Sequence, residues 1–122
     1  MTAFPPVVYV AGKLRAPTAW EMAENVRESL RWSLKVAECG AIPLCPHANM
    51  GHFHGLLTEQ FWIDAALALL AKCDAALFIP GWLQSDGARG EQVFCKREDI
   101  PRFGSAHISD GTFAQWVRSW RA

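Results

Sequence analysis

Short, continuous apolar runs alternate along the chain with longer stretches in which apolar residues recur at helical spacing. The run VVYVA over 7–11 is β-branched and aromatic and stops at Gly12, which predicts a buried strand followed by a loop over KLRAP. From Thr18 polar residues dominate, but Met22, Val26, Leu30 and Leu34 keep a four-residue spacing, so a helix is predicted up to a stop at Gly40. Thr18 with Glu21 three residues later fits a capping box at its start. AIPLC over 41–45 predicts a short second strand; Pro43 has no amide hydrogen for a ladder, which places that strand at a sheet edge. PHANMGHFHG predicts a loop, and the mostly apolar stretch from Thr58 to Cys73 a second helix. AALFIP over 75–80 is continuously apolar and too short for a helix, which predicts a third strand. A third helix from about Ala88 to Arg97, a short strand over Ile100–Phe103 and a last helix over Asp110–Trp120 complete the prediction.

Strands alternating with helices of ten or more residues imply βαβ units, hence an α/β fold with a parallel sheet covered by helices on both faces. In such sheets ligands bind beyond the carboxyl ends of the strands. Both the loop after Gly12 and the stretch GWLQSDGARGEQVF over 81–94 follow strand carboxyl ends, so the topology alone brings them to one rim.

At 122 residues a single domain over 1–122 is expected, and 51% hydrophobic with 20% charged residues is a globular composition. Twelve basic residues balance twelve acidic ones, so there is no electrostatic footprint for a nucleic-acid polymer or an anionic membrane. An anionic ligand has to be met locally. The N-terminus lacks the charged start and long apolar region of a signal peptide, and no apolar run approaches the length of a membrane span; a cytoplasmic location is expected. Cys39, Cys45, Cys73 and Cys95 form no CxxC pair and are expected as buried, reduced thiols.

The stretch over 81–94 carries the candidate chemistry. Gly87 and Gly90 near a helix start cost about 1 kcal/mol each relative to alanine if they are helical, and close approach of a ligand is one compensation. Amides at a helix N-terminus together with the Ser85 hydroxyl can hold a phosphate or sugar oxygen. Glu91, read in the first turn, would be kept ionised by the helix dipole and able to act as a nucleophile. The plainer reading has Ser85 or Asp86 capping the helix, the glycines making a turn and Glu91 complementing the dipole.

YVAGKLR, the run DAALALLAKCDAALFIPGW and S-x-G-A-x-x-E before a helix, taken with the order Tyr9, Gly12, Asp64, Asp74, Ser85, Gly87 and Glu91, resemble the nucleoside 2-deoxyribosyltransferase superfamily over roughly residues 7 to 102, in particular its small bacterial and phage members. The resemblance implies a flavodoxin-like (Rossmann-like) three-layer sandwich with four to five parallel strands. It also implies that Glu91 attacks the anomeric carbon of a nucleoside or nucleotide, giving a glycosyl-enzyme that water or a second base resolves. Ser85, six residues before Glu91, matches the serine of the nucleoside 5′-monophosphate N-glycosidases, where transferases acting on nucleosides carry aspartate. Arg15 matches an arginine of the monophosphate hydrolases, and Lys13 adds a second phosphate partner. Asp86 departs from that pattern, since a carboxylate beside a dianion repels it unless turned away.

By the same resemblance Tyr9 reaches the reacting centre, Asp64 protonates the leaving base, and the loop after the second strand brings His47, Asn49 and Phe53 to the base. As plain residues, Tyr9 is a core strand position, Asp64 a helix-surface carboxylate and the others solvated loop residues, whereas Asp74 orients the entry of its strand. His47, His52 and His54 match no standard zinc spacing, so no metal is expected, and displacement by a carboxylate requires no cofactor. Trp20, Trp32, Trp116 and Trp120 read as packing or oligomer contacts; Trp62 and Trp82 lie closer to the motif, where either can wall the pocket, but core packing is the reading preferred for both. The expected function is that of an N-glycosidase or 2-deoxyribosyltransferase on a nucleoside 5′-monophosphate or nucleoside, assembled as a homodimer or higher oligomer. The alternative is a nucleotide-binding or sensing module on the same fold without turnover.

Overall fold

The computed structural model describes residues 4–53 and 55–120. Four parallel strands, β1 (Val7–Ala11), β2 (Ile42–Leu44), β3 (Ala75–Phe78) and β4 (Arg102–Gly104), form one sheet in the order β2-β1-β3-β4. Tyr9 at the middle of β1 is in register with Leu44 on one side and Ala76 on the other. β1 and β3 are buried because helices cover both faces, which is why they read as unbroken apolar runs. Helix α1 (Ala19–Glu38) joins β1 to β2; the short α2 (Pro46–Met50) and then α3 (Glu59–Ala71) lead to β3; α4 (Asp86–Arg97) leads to β4; α5 (Ser105–Ser109) and α6 (Thr112–Ser119) follow. This is the flavodoxin-like α/β architecture.

The alternation of side chains along β1 divides the core. Val8 and Val10 pack with Val36 of α1, Leu77 and Phe113, and Phe113 joins a ring cluster with Phe103 and Trp116. Tyr9 and Ala11 face the other layer, with Leu70 of α3 and Cys95 of α4. At the entry of β3 the Asp74 carboxylate accepts the Val7 amide at 2.8 Å, joining the starts of the two central strands. All four cysteines are free thiols, but only Cys95 is fully buried; Cys39, Cys45 and Cys73 are half-buried.

Several boundaries differ from the sequence reading. PHANM is a helix, not a loop, because Pro46 stands in its first turn where a missing amide hydrogen costs nothing. Beyond it, His54 lies outside the described residues. Ser85 caps α4, so that helix begins at Asp86, two residues earlier than expected. The last helix, α6, lies within the expected 110–120, but the short α5 before it was not expected; Gly111, whose φ of 84° a side chain would resist, separates the two. Helix α1 is also rotated from its apolar stripe: Ser29, Ser33 and Val36 are buried, whereas Leu30 and Leu34 are exposed. Small serines let the helix approach the sheet closely, and the Ser33 hydroxyl stays satisfied by donating to the Ser29 carbonyl at 2.8 Å.

Gly12 ends β1 for a packing reason. A Cβ there would stand 2.5 Å from Cγ1 and 2.7 Å from Cδ1 of the buried Ile79. Gly12→Ala is therefore expected to destabilise the fold by about 1–3 kcal/mol, the usual cost of overpacking, and denaturant unfolding of the two proteins measures it; pairing the change with Ile79→Val should recover part of the loss.

Candidate active site

At the carboxyl ends of β1 and β3, where the sheet order reverses, lies a cavity of about 520 Å³. Four segments enclose it: the loop after β1, helix α2, one side of α3, and the start of α4. The structure brings Tyr9, Gly12, Lys13, Arg15 and His47 to this cavity together with Ser85, Gly87 and Glu91. Asn49 and Asp64 are not brought there. Asn49 is exposed on α2, and Asp64 is exposed on α3, its carboxylate accepting from the Gln60 amide at 2.8 Å. On α3 it is Glu59, Trp62, Ile63, Ala66 and Leu67 that line the cavity, so helical phase turns Asp64 away.

The cavity floor holds one polar pair. The Tyr9 hydroxyl, whose ring is fully buried on the central strand, donates to Oε2 of Glu91. Burial raises the Glu91 pKa to about 7, against the pull of the Tyr9 hydrogen bond. Burial first, and the neighbouring Glu91 charge second, push the Tyr9 hydroxyl well above its ordinary value, so it remains a donor. The sequence reading had Glu91 in the first turn, held ionised by the helix dipole. Because α4 starts at Asp86, Glu91 stands in the second turn, where the dipole has largely faded and loss of solvation prevails.

The rim is charged and partly paired. Arg15 Nη1 meets Glu59 Oε1 at 2.8 Å, joining the loop after β1 to the first turn of α3. Asp86 pairs with Arg89 one turn on, and Arg89 also donates to the Leu83 carbonyl at 3.0 Å. Lys13 makes no ion pair among the described residues. Ser85 Oγ accepts the Ala88 amide at 3.1 Å, which is the capping role, while its hydroxyl hydrogen is left to donate elsewhere. His47 Nε2 is 2.7 Å from the Gly12 carbonyl; burial lowers its pKa, so the neutral ring donates and ties α2 to the loop after β1.

The model of a family described as a domain of unknown function, DUF4406, matches residues 6–101. The chain belongs to this family. Its match takes in every cavity residue named above and ends just before β4. No curated protein matches the sequence of the chain. In structure, this DUF4406 domain is similar to a 2-deoxyribosyltransferase from the psychrotolerant bacterium Bacillus psychrosaccharolyticus, with a TM-score of 0.60 and 16% identity over 80% of this chain and 70% of the other. At that identity the likeness is one of fold. Among the described residues no helix is long and apolar enough to cross a membrane.

Sequence reasoning missed Glu59 as a cavity residue. Its signal was its place directly after Thr58, whose hydroxyl caps α3, since the first turn of a helix at a sheet's carboxyl rim points toward the ligand side. Trp62 does wall the cavity, stacked on Phe53 with ring centres 5.4 Å apart, whereas Trp82 packs against Phe78 at 5.1 Å.

Glu91 links the site to stability. A carboxyl raised from 4.5 to about 7 in the folded chain holds its proton better folded than unfolded, so its stabilisation is full below pH 4.5 and is lost as pH rises through 7. The loss is worth up to about 3 kcal/mol. Glu91→Gln removes the titration while keeping an acceptor for Tyr9. Thermal unfolding should show the variant several degrees more stable than wild type at pH 8, with the gap closing toward pH 4; a gap that is constant with pH would mean that Glu91 titrates normally.

Proposed function

We propose that this domain cleaves the N-glycosidic bond of a nucleoside 5′-monophosphate through Glu91, passing the sugar to water or to a second base. The observation that carries the reading is the Glu91 carboxyl on the cavity floor, with one oxygen engaged by Tyr9 and the other free to attack. Tyr9 holds the carboxylate in one orientation, which selects a single nucleophilic oxygen and lowers the entropy cost of attack.

In the first step a Glu91 oxygen bonds to the anomeric carbon as the bond from that carbon to the base nitrogen breaks. The electron pair leaves with the base, which takes its proton from water at the solvent-exposed rim. Asp64, expected from the resemblance to deliver that proton, plays no part in this step because it does not line the cavity. In the second step water, or a nitrogen of an incoming base, bonds to the anomeric carbon and releases the Glu91 carboxylate. The proton of an attacking water goes to the departing carboxylate, whose raised pKa suits it to hold one near neutrality.

Recognition of a monophosphate is supported by the charge arrangement at the rim. Lys13 and Arg15 supply cations, and Ser85 supplies a hydroxyl beside the N-terminal amides of the twelve-residue α4. The Asp86 carboxylate, which would repel a dianion, is paired with Arg89. The serine supports the reading of a monophosphate N-glycosidase over that of a nucleoside transferase. Trp62 and its apolar neighbours on α3 offer the base a wall. The exposed Leu56, Leu57 and Phe61, which neighbour the cavity-lining Glu59 and Trp62 along the chain, support assembly as a homodimer or higher oligomer.

Incubation with ribo- and deoxyribonucleoside 5′-monophosphates, with free base followed by chromatography, tests the reading. Release of base is expected, with kcat/KM rising to a midpoint near pH 7 as Glu91 loses its proton. Glu91→Gln should lower that release by about three orders of magnitude or more while retaining ligand binding. Binding without release by wild type would instead make the domain a nucleotide-sensing module, and turnover that survives Glu91→Gln would end the nucleophile assignment.

A further inference from the structure

The cavity carries two cations of unequal availability. Lys13 is exposed and makes no ion pair among the described residues. Arg15, which shares the loop after β1 with it, is already held by Glu59 from the opposite wall at 2.8 Å. Both side chains of that pair are more than half exposed, 53% and 61%, so the pair is weak and screened by salt. Each also lines the cavity, so the pair spans its mouth instead of lying out on the surface. A bidentate phosphate contact is the geometry that a guanidinium favours, and it draws on the Nη1 that Glu59 now holds.

From this arrangement we infer that Glu59 is a specificity-setting residue: it holds Arg15 in the empty site, yields it to the anionic group of the ligand, and so sets how strongly a monophosphate is preferred over the matching nucleoside. The inference rests on the monophosphate reading above and adds the residue that tempers it. Two effects act together. The guanidinium has to leave one carboxylate before it can serve the phosphate, and the released Glu59 remains close enough to repel the dianion. A nucleoside makes no such demand, so its binding does not depend on the exchange. Asp86 does not duplicate this role, because Arg89, which lies outside the cavity lining, holds it in place. Glu91 lies on the floor with its own partner, Tyr9. Glu59 is thus the rim carboxylate whose partner is itself a ligand-binding candidate.

The test measures the ratio of dissociation constants for a deoxynucleoside and its 5′-monophosphate, by calorimetric titration of the full chain, in wild type, Glu59→Gln, Glu59→Asp and Arg15→Gln, and in Arg15→Gln combined with Glu59→Gln. Glu59→Gln is expected to raise the preference for the monophosphate by roughly two- to fivefold, the scale of releasing an exposed ion pair. Glu59→Asp, which keeps the charge, should stay nearer wild type. In the Arg15→Gln background the gain from Glu59→Gln should fall well short of that seen in wild type, and this coupling is what separates exchange of a shared partner from a merely structural effect. A gain of equal size with and without Arg15 would overturn the exchange, as would an unchanged or lower ratio in Glu59→Gln. If wild type shows no preference for the monophosphate, the monophosphate reading fails and this inference with it; a wild-type preference that Glu59→Gln leaves untouched removes the inference alone.

Discussion

The hydrogen bond from Tyr9 to Glu91 is the interaction on which the site depends. A tyrosine on the central strand of a covered parallel sheet has a single polar atom, and burying it unpaired is costly. Glu91 meets that need from α4, and in return its carboxyl is drawn out of water. The pairing fixes where α4 lies against β1, which in turn places Ser85 and the first turn of α4 across from Lys13 and Arg15. The same burial lifts the Glu91 pKa to about 7. A carboxyl held close to neutrality can give up and regain a proton, at a cost in stability that an exposed helix residue would not carry.

The glycines of α4 fit the same logic. Within a helix each costs about 1 kcal/mol relative to alanine. At Gly90 an added Cβ would meet nothing within 4 Å, and at Gly87 only the Ser85 hydroxyl oxygen at 3.8 Å, so no packing demand excludes a side chain. Both border the cavity, and what they provide is room beside Glu91. Gly12 is the contrary case, where a neighbouring side chain fills the space.

The extent of the family match has a structural meaning. Residues 6–101 include β1, β2, β3 and the helices that surround the cavity, but neither β4 nor the Phe103, Phe113 and Trp116 cluster behind the sheet. The shared part is the one that builds the carboxyl rim. The remainder closes the opposite face, where any well-packed apolar surface serves. The likeness to the 2-deoxyribosyltransferase covers 80% of this chain at 16% identity and is one of fold.

Local pattern was enough for the strands, because buried parallel strands are continuous apolar runs, and parallel topology then dictated that the loops after β1 and β3 meet. Pro43 marked β2 as an edge strand for the equally local reason of its missing donor. Where the sequence misled, the deciding quantity was helical phase against a neighbour. Helix α1 buries Ser29 and Ser33 and leaves out Leu30 and Leu34, since close approach to the sheet outweighed the apolar stripe. The phase of α3 points Glu59 and Trp62 into the cavity and Asp64 away from it, and a start two residues earlier puts Glu91 in the second turn of α4. The identities and order of the candidate groups are thus properties of the sequence. Their direction, partners and protonation were decided by the tertiary structure, because each depends on which surface packs against the residue and how much water that packing removes.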